Sequence, residues 1–537
     1  MRLMMTALAA LALAACATTG SPAQSRLVEE RSILDLQADL AAGGTTSEAL
    51  VAAYLARIAA IDRAGPTLHS IISLNPEAGA QARALDAERK AGKLRGPLHG
   101  IPVLIKDNIE TRELPTTAGS LALAQNMTGR DSPMAARLRE AGAILLGKTN
   151  LSEWANFRST RSISGWSAVG GLVRNPYALD RNACGSSAGS GAATAASLAS
   201  ASIGTETSGS IICPSSMNGL VGIKPTVGLV SREGVVPISH SQDTPGPMTR
   251  SVMDAALVLS AIAGSDPADP ATLDADRHKT NYAAALKPDA LKGKRLGVYR
   301  TTPGGLPELD QLFDQALRDF QAAGAELVDV KELPADFRAT QAVGPIVTQT
   351  EFKADVAKYL AKAAPAVKTK TLADLIAFNQ ANAGSEMPLF SQQIFEQSEA
   401  RGGLDDPAYL KAVAAGKLAA GPNGIDAMLK ADRLDALIAI STAPAAPTDP
   451  SGVVRAVQVN TLTGLAAVAG YPHLTVPMGL SNGLPAGLSF VGPAWSEASL
   501  LAMGYAYEQG SHRRVAPGYL PSMNAAPATA KAFLPAK

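Results

Sequence analysis

The chain has 537 residues, 46% of them hydrophobic and 18% charged, a balance that supports a packed core and excludes a disordered chain. Its 48 Lys and Arg against 47 Asp and Glu leave a formal net charge of +1, which sets up no field for nucleic acid, so no nucleic-acid partner is expected. Aromatic residues make up only 4%, so the core must rest on Ala, Leu, Val and Ile, as in helices packed closely on a sheet.

The first residues read as an export signal. Arg2 is a positive start, residues 3–15 are apolar, and small residues precede a cysteine. Leu13-Ala14-Ala15-Cys16 resembles a bacterial lipobox, which implies a signal over 1–15, lipidation of Cys16 and a tether over 16–30. An ordinary cleaved signal is the alternative. Ala17 after the cysteine, with no aspartate there, points to the outer rather than the inner membrane on the periplasmic side. The lipid is the expected membrane contact, because no later stretch is long and apolar enough to span a bilayer.

Thr45-Thr46-Ser47-Glu48 suggests a capping box with Thr45 at the N-cap. Leu50, Tyr54, Ile58 and Ile61 follow as the apolar stripe of a helix. Short apolar runs at 101–105, 144–146 and 295–299 read as buried strands with helices between them, an α/β pattern. The Ala-rich stretch 191–198 and residues 254–262 read as helices, and 300–430 has helical periodicity. Residues 437–440 read as a strand that leads into a loop at Pro444 and Pro447. Four prolines from Pro517 to Pro535 predict a loose tail over 513–537.

Two serine-and-glycine segments carry the chemistry. The first is Cys184-Gly185-Ser186-Ser187-Ala188-Gly189-Ser190-Gly191, the second Gly204-Thr205-Glu206-Thr207-Ser208-Gly209-Ser210-Ile211. Glycines let main-chain N–H groups point at a reacting atom, and each segment offers a hydroxyl. Lys106 ends the apolar run that begins at Ile101, where desolvation would depress its pKa by ~2 units or more and make it a base. Asp107 and Asn108 read as structural, holding the following turn. The six histidines show no metal-ligand spacing, so no metal is expected. Hydrolysis by serine hydroxyls and a lysine needs no cofactor, and none is expected. Cys184 and Cys213 either pair or remain buried thiols, and buried thiols are the expectation.

Together these segments resemble the amidase signature family, in which Ser186 and Ser210 would stand at the family's spacing of 24 positions. The likeness runs from about residue 32 to 512 and is strongest from 98 to 248. It includes Leu98-His99-Gly100-Ile101-Pro102, Thr117-Ala118-Gly119-Ser120, Gly147-Lys148-Thr149-Asn150 and Gly222-Ile223-Lys224-Pro225-Thr226. Arg174-Asn175-Pro176-Tyr177 and Ser241-Gln242-Asp243-Thr244 make it most similar to bacterial peptide amidases and their exported relatives. The resemblance implies one large α/β domain over 31–512, with a mixed central sheet covered on both faces by helices. It implies Ser210 as nucleophile, Ser186 as proton bridge on a cis peptide bond, and Lys106 as base. The amides of Thr207, Ser208, Gly209 and Ser210 would form the oxyanion hole. Peptide C-terminal amides are the first substrate class implied, aryl or aliphatic acylamides the second, with esters as side substrates. Ser208 and Ala188 depart from the family's usual residues, which bears on substrate fit more than on reaction class.

Competing readings use the same residues. Gly185-Ser186-Ser187-Ala188-Gly189 also matches a nucleophile elbow, with Ser187 as nucleophile and His473 as base, but the polar Asp180-Arg181-Asn182 replaces the strand an elbow needs. A nucleotide-binding loop lacks its feeding strand and closing Lys-Ser/Thr, and a penicillin-binding reading lacks Ser-x-x-Lys. An amidotransferase subunit conflicts with the export signal. A catalytically inactive binding lipoprotein is the reading from another class, and retention of all three reactive residues argues against it.

Overall fold

A computed structural model describes residues 27–300, 306–330, 337–449 and 460–523. Eleven strands form one sheet: β1 (Ile71–Leu74), β2 (Pro102–Lys106), β3 (Ile144–Thr149), β4 (Ala201–Glu206), β5 (Val221–Lys224), β6 (Thr244–Thr249), β7 (Arg295–Val298), β8 (Glu326–Asp329), β9 (Ala436–Ile440), β10 (His473–Ser481) and β11 (Leu484–Val491). The spatial order is β1-β3-β2-β4-β6-β5-β10-β11-β9-β7-β8. Strands β3, β2 and β4 run parallel, as do β9, β7 and β8, while β4 to β6 and β10 to β11 are antiparallel. The sheet is therefore mixed, as expected.

Alternation along β9 shows that both faces are covered. Ala436, Ile438 and Ile440 enter one hydrophobic cluster, and Leu437 and Ala439 enter another. The larger cluster joins the Ser47–Ile61 helix through Leu50, Tyr54 and Ile58 to β2 and to the Val252–Ile262 helix. Every residue of β2 is buried, which is why an unbroken apolar run precedes Lys106.

Four expectations change. Thr46, not Thr45, caps the Ser47–Ile61 helix, because its hydroxyl is the one that accepts from the Ala49 amide. The helix after the first serine segment spans Ala188–Ala195, so it starts directly after Ser187 despite two glycines in its first turns. Residues 513–523 are not a loose tail. The Tyr519 and Leu520 amides donate to the Pro176 and Tyr177 carbonyls, and Met523 is buried. The end of the expected tether, residues 27–30, is packed instead: Val28 is buried in the core and the Glu30 amide donates to Ser197 Oγ at 3.0 Å. The 1–15 signal, Cys16, the tether up to residue 26 and the tail beyond 523 lie outside the described residues.

Candidate active site

The parallel strands β2 and β4 end side by side, and their carboxyl ends carry Lys106, Thr205 and Glu206. Ligands of open α/β sheets gather at such strand ends. The turn after β4 presents Ser210, and the loop before the Ala188–Ala195 helix presents Ser186 through a cis Gly185–Ser186 peptide. The Ser187 amide donates to the Ser210 carbonyl at 3.2 Å, tying the two segments together.

Lys106 and Ser186 are fully buried, with Nζ 2.8 Å from Ser186 Oγ. Nζ also donates to Thr205 Oγ1 (2.9 Å) and to the Thr205 carbonyl (3.3 Å). No carboxylate lies within ion-pair distance of it among the described residues. Burial lowers Lys106 to about 7, and the negative charges of Asp243 and Glu206 only partly oppose this. A fraction of the amine is therefore neutral at neutral pH and able to accept a proton.

Two other buried lysines show what Lys106 is not. Lys148 Nζ donates to Asp107 Oδ1 (3.2 Å), Thr116 Oγ1 (3.0 Å) and the Ile109 carbonyl (2.6 Å), a closed structural site. Lys224 donates to the Pro225 carbonyl and bonds no serine hydroxyl among the described residues. Asp107 thus holds the turn, as expected. Asn108 does more than that: its Nδ2 donates to Thr205 Oγ1 at 3.0 Å, the same hydroxyl that Lys106 uses.

Ser210 is 8% exposed and so reaches the surface, unlike Ser186 and Lys106. Its turn is shaped by Glu206, whose carboxylate accepts from the amides of Gly209 (2.7 Å), Ile211 (2.7 Å) and Ile212 (3.0 Å). This corrects the expected oxyanion donors, because the Gly209 amide is committed to Glu206. The amides of Thr207, Ser208 and Ser210 have no hydrogen-bond acceptor among the described residues. Asp243 holds the other side of the turn: its carboxylate accepts from the Thr207 hydroxyl (2.6 Å) and from the Ile238 and Ser239 amides. Burial raises Asp243 to about 6. Gln242 Nε2 donates to the Thr207 carbonyl.

Ser187 is occupied elsewhere. Its hydroxyl donates to the Thr205 carbonyl (3.1 Å) and accepts from the Thr205 amide (3.2 Å). His473, the base an elbow would need, bonds Ser489 instead, and burial lowers it to about 3. The cysteines also differ from expectation: Cys184 and Cys213 form a disulfide, Cα atoms 6.0 Å apart, because the two serine segments fold against each other.

A cavity of about 320 Å³ has Asp243 in its wall and is lined in part by Arg130, Arg232, Val235, His240 and Tyr359. Lys106, Ser186 and Ser210 do not line it. Four pairs lie within its wall: Arg130 with Glu110, Arg232 with Asp269, Lys362 with Glu233, and His240 with Asp355. A smaller cavity, also with Asp243 in its wall, is bordered by Asn108, Ala155, Thr205 and Thr207.

Residues 49–501 match the family model described as amidase. A probable amidase of Arabidopsis thaliana is 37% identical over 518 residues, covering 94% of this chain and 95% of that protein. The native peptide amidase of Stenotrophomonas maltophilia is 51% identical with a TM-score of 0.87, over 91% of this chain and 99% of that one. A structure of the peptide amidase PAM with the competitive inhibitor chymostatin matches at 51% identity and a TM-score of 0.88, with the same coverage. The chain belongs to the amidase signature family and is an amidohydrolase.

Proposed function

We propose that this amidohydrolase cleaves carboxamide C–N bonds through an acyl-enzyme formed on Ser210. The observation that carries the reading is a fully buried lysine, free of any carboxylate contact among the described residues, 2.8 Å from the Ser186 hydroxyl. Ser210 attacks the carboxamide carbon and passes its proton to Ser186 Oγ, which gives its own to neutral Lys106. Charge developing on the carbonyl oxygen meets the uncommitted amides of the turn, from Thr207, Ser208 and Ser210. The proton returns through Ser186 to the departing amine, the C–N bond breaks, and water then releases the acyl group from Ser210.

The preferred substrates in this reading are C-terminal amides of peptides. Likeness to peptide amidases at 51% identity supports that class over aryl or aliphatic acylamides. Ammonia release from a panel of dipeptide amides, anilides and aliphatic amides tests it. Peptide amides should give the highest kcat/KM, and a panel led by anilides would overturn the assignment.

The protein acts outside the cytosol in this reading, anchored through lipid on Cys16 and facing the periplasm. The signal-like residues 1–15 support this, as does the Cys184–Cys213 disulfide, a bond of oxidising compartments. Cell fractionation checks the anchor: wild-type protein should follow the outer membrane, and Cys16→Ser should abolish that. Wild-type protein found wholly in the soluble fraction would contradict it.

A further inference from the structure

The Cys184–Cys213 bridge ties together the two loops that carry Ser186 and Ser210. Cys184 lies two residues before Ser186, and Cys213 lies three residues after Ser210, on the Ile212–Met217 helix. Both are buried, at 3% and 2% exposure, in one cluster with Tyr177, Ala195 and Met217. Cys184 has φ of 57°, a left-handed conformation that a non-glycine residue adopts only when its surroundings hold it there. One restraint is the Asn182 side chain, which accepts from the Cys184 amide at 2.6 Å, and the bridge is the other.

Apart from the bridge, the two segments are joined by hydrogen bonds alone, among them the two that the Ser187 hydroxyl exchanges with Thr205. The Ser187 amide donates to the Ser210 carbonyl, and Asn218 Nδ2 donates to the Ala183 carbonyl at 2.9 Å. The Cys213 amide donates to the Gly209 carbonyl at 2.8 Å, so the cysteine is also rigidly coupled to the nucleophile's own turn.

We propose that Cys184 and Cys213 are a positioning pair for the hydrolysis, a covalent clamp that holds the proton-bridging and nucleophilic loops at their working separation. The inference rests on the roles assigned above to Ser186 and Ser210. Closure removes two protons and two electrons from the thiols. A disulfide oxidant such as glutathione disulfide accepts them and leaves as two glutathione thiols, and a dithiol reductant reverses the step. The chemical step is therefore fast only in the oxidised protein, and the enzyme gains full activity after export. Misplacing reacting groups by about 1 Å costs about 10²-fold in rate, which sets the scale of the effect.

The test uses the full chain and the rate of fluorophosphonate labelling, which reads Ser210 reactivity without depending on the amide chosen. Wild-type protein is reduced with dithiothreitol until thiol titration finds two thiols beyond Cys16, then reoxidised with glutathione disulfide. Cys184→Ser and Cys213→Ser variants are measured beside it. Labelling and kcat should fall ~10- to ~100-fold on reduction and in both variants, with KM changed less than about threefold and circular dichroism intact. Reoxidation should restore the wild type alone. If the variants do not fold, the reduced wild type decides, and if the bridge resists reduction, the variants decide. Full labelling rate without the bridge, a loss that follows only unfolding, or two free thiols in the untreated exported protein would overturn the proposal. An adduct on a residue other than Ser210 would instead remove the catalytic assignment beneath it.

Discussion

Replacing Lys106 by Arg and by Ala separates a base from a fixed positive charge. Burial takes Lys106 from 10.5 to about 7, which at about 1.4 kcal/mol per pH unit disfavours its ammonium by about 5 kcal/mol. About a tenth of the amine is then neutral at pH 6 and about nine tenths at pH 8, so the acylation rate should rise nearly tenfold across that interval. The folded pKa lies below the unfolded one. Between pH 7 and 10.5 the unfolded chain therefore binds a proton that the folded chain lacks, and Lys106 adds a stability that rises with pH in that window. Lys106→Ala should lose both slopes and cut the acylation rate by at least about 10²–10⁴. Lys106→Arg should do no better, because guanidinium stays protonated at any usable pH. Fluorophosphonate labelling and ammonia release across pH 5 to 10, with folding checked by circular dichroism, measure all three proteins. An Arg variant with more than about a tenth of wild-type activity, or an unchanged alkaline rise in Lys106→Ala, would refute the base.

Ser187→Ala should lower stability by about 1–3 kcal/mol in urea denaturation, through its two lost bonds to Thr205, yet keep most of the labelling rate. Glu206→Gln leaves at least one of three turn amides without its anionic acceptor, so kcat should fall more than KM rises, with a loss of about 1.5–3 kcal/mol in stability. Lys148→Met strands Asp107 as a buried charge and should cost about 3–5 kcal/mol, read from the denaturation midpoint.

The residues proposed as reactive stand out because they sit in unusual local sequence. Glycines surround both serines, and an apolar run ends in Lys106 where solvent-facing lysines usually have polar neighbours. Strand existence was legible for the same reason, since β2, β3 and β9 are short apolar runs between breakers. Glu206 was not legible: a glutamate at a strand end reads as solvated, and only the fold brings three amides onto its carboxylate. The disulfide was hidden because pairing depends on how the two segments approach in space, which a separation of 29 residues leaves open. Docking of residues 513–523 was hidden too, since prolines mark a break in helix or strand but do not stop an extended segment from using its amides against Pro176 and Tyr177.

The assignment of Ser210 as nucleophile is tested most directly by mapping the fluorophosphonate adduct. The full chain is labelled to completion, digested and read by mass spectrometry beside Ser210→Ala and Ser187→Ala. The account predicts a single adduct on Ser210 in the wild type and in Ser187→Ala, and none in Ser210→Ala. An adduct on Ser187, or labelling that survives Ser210→Ala, would contradict it.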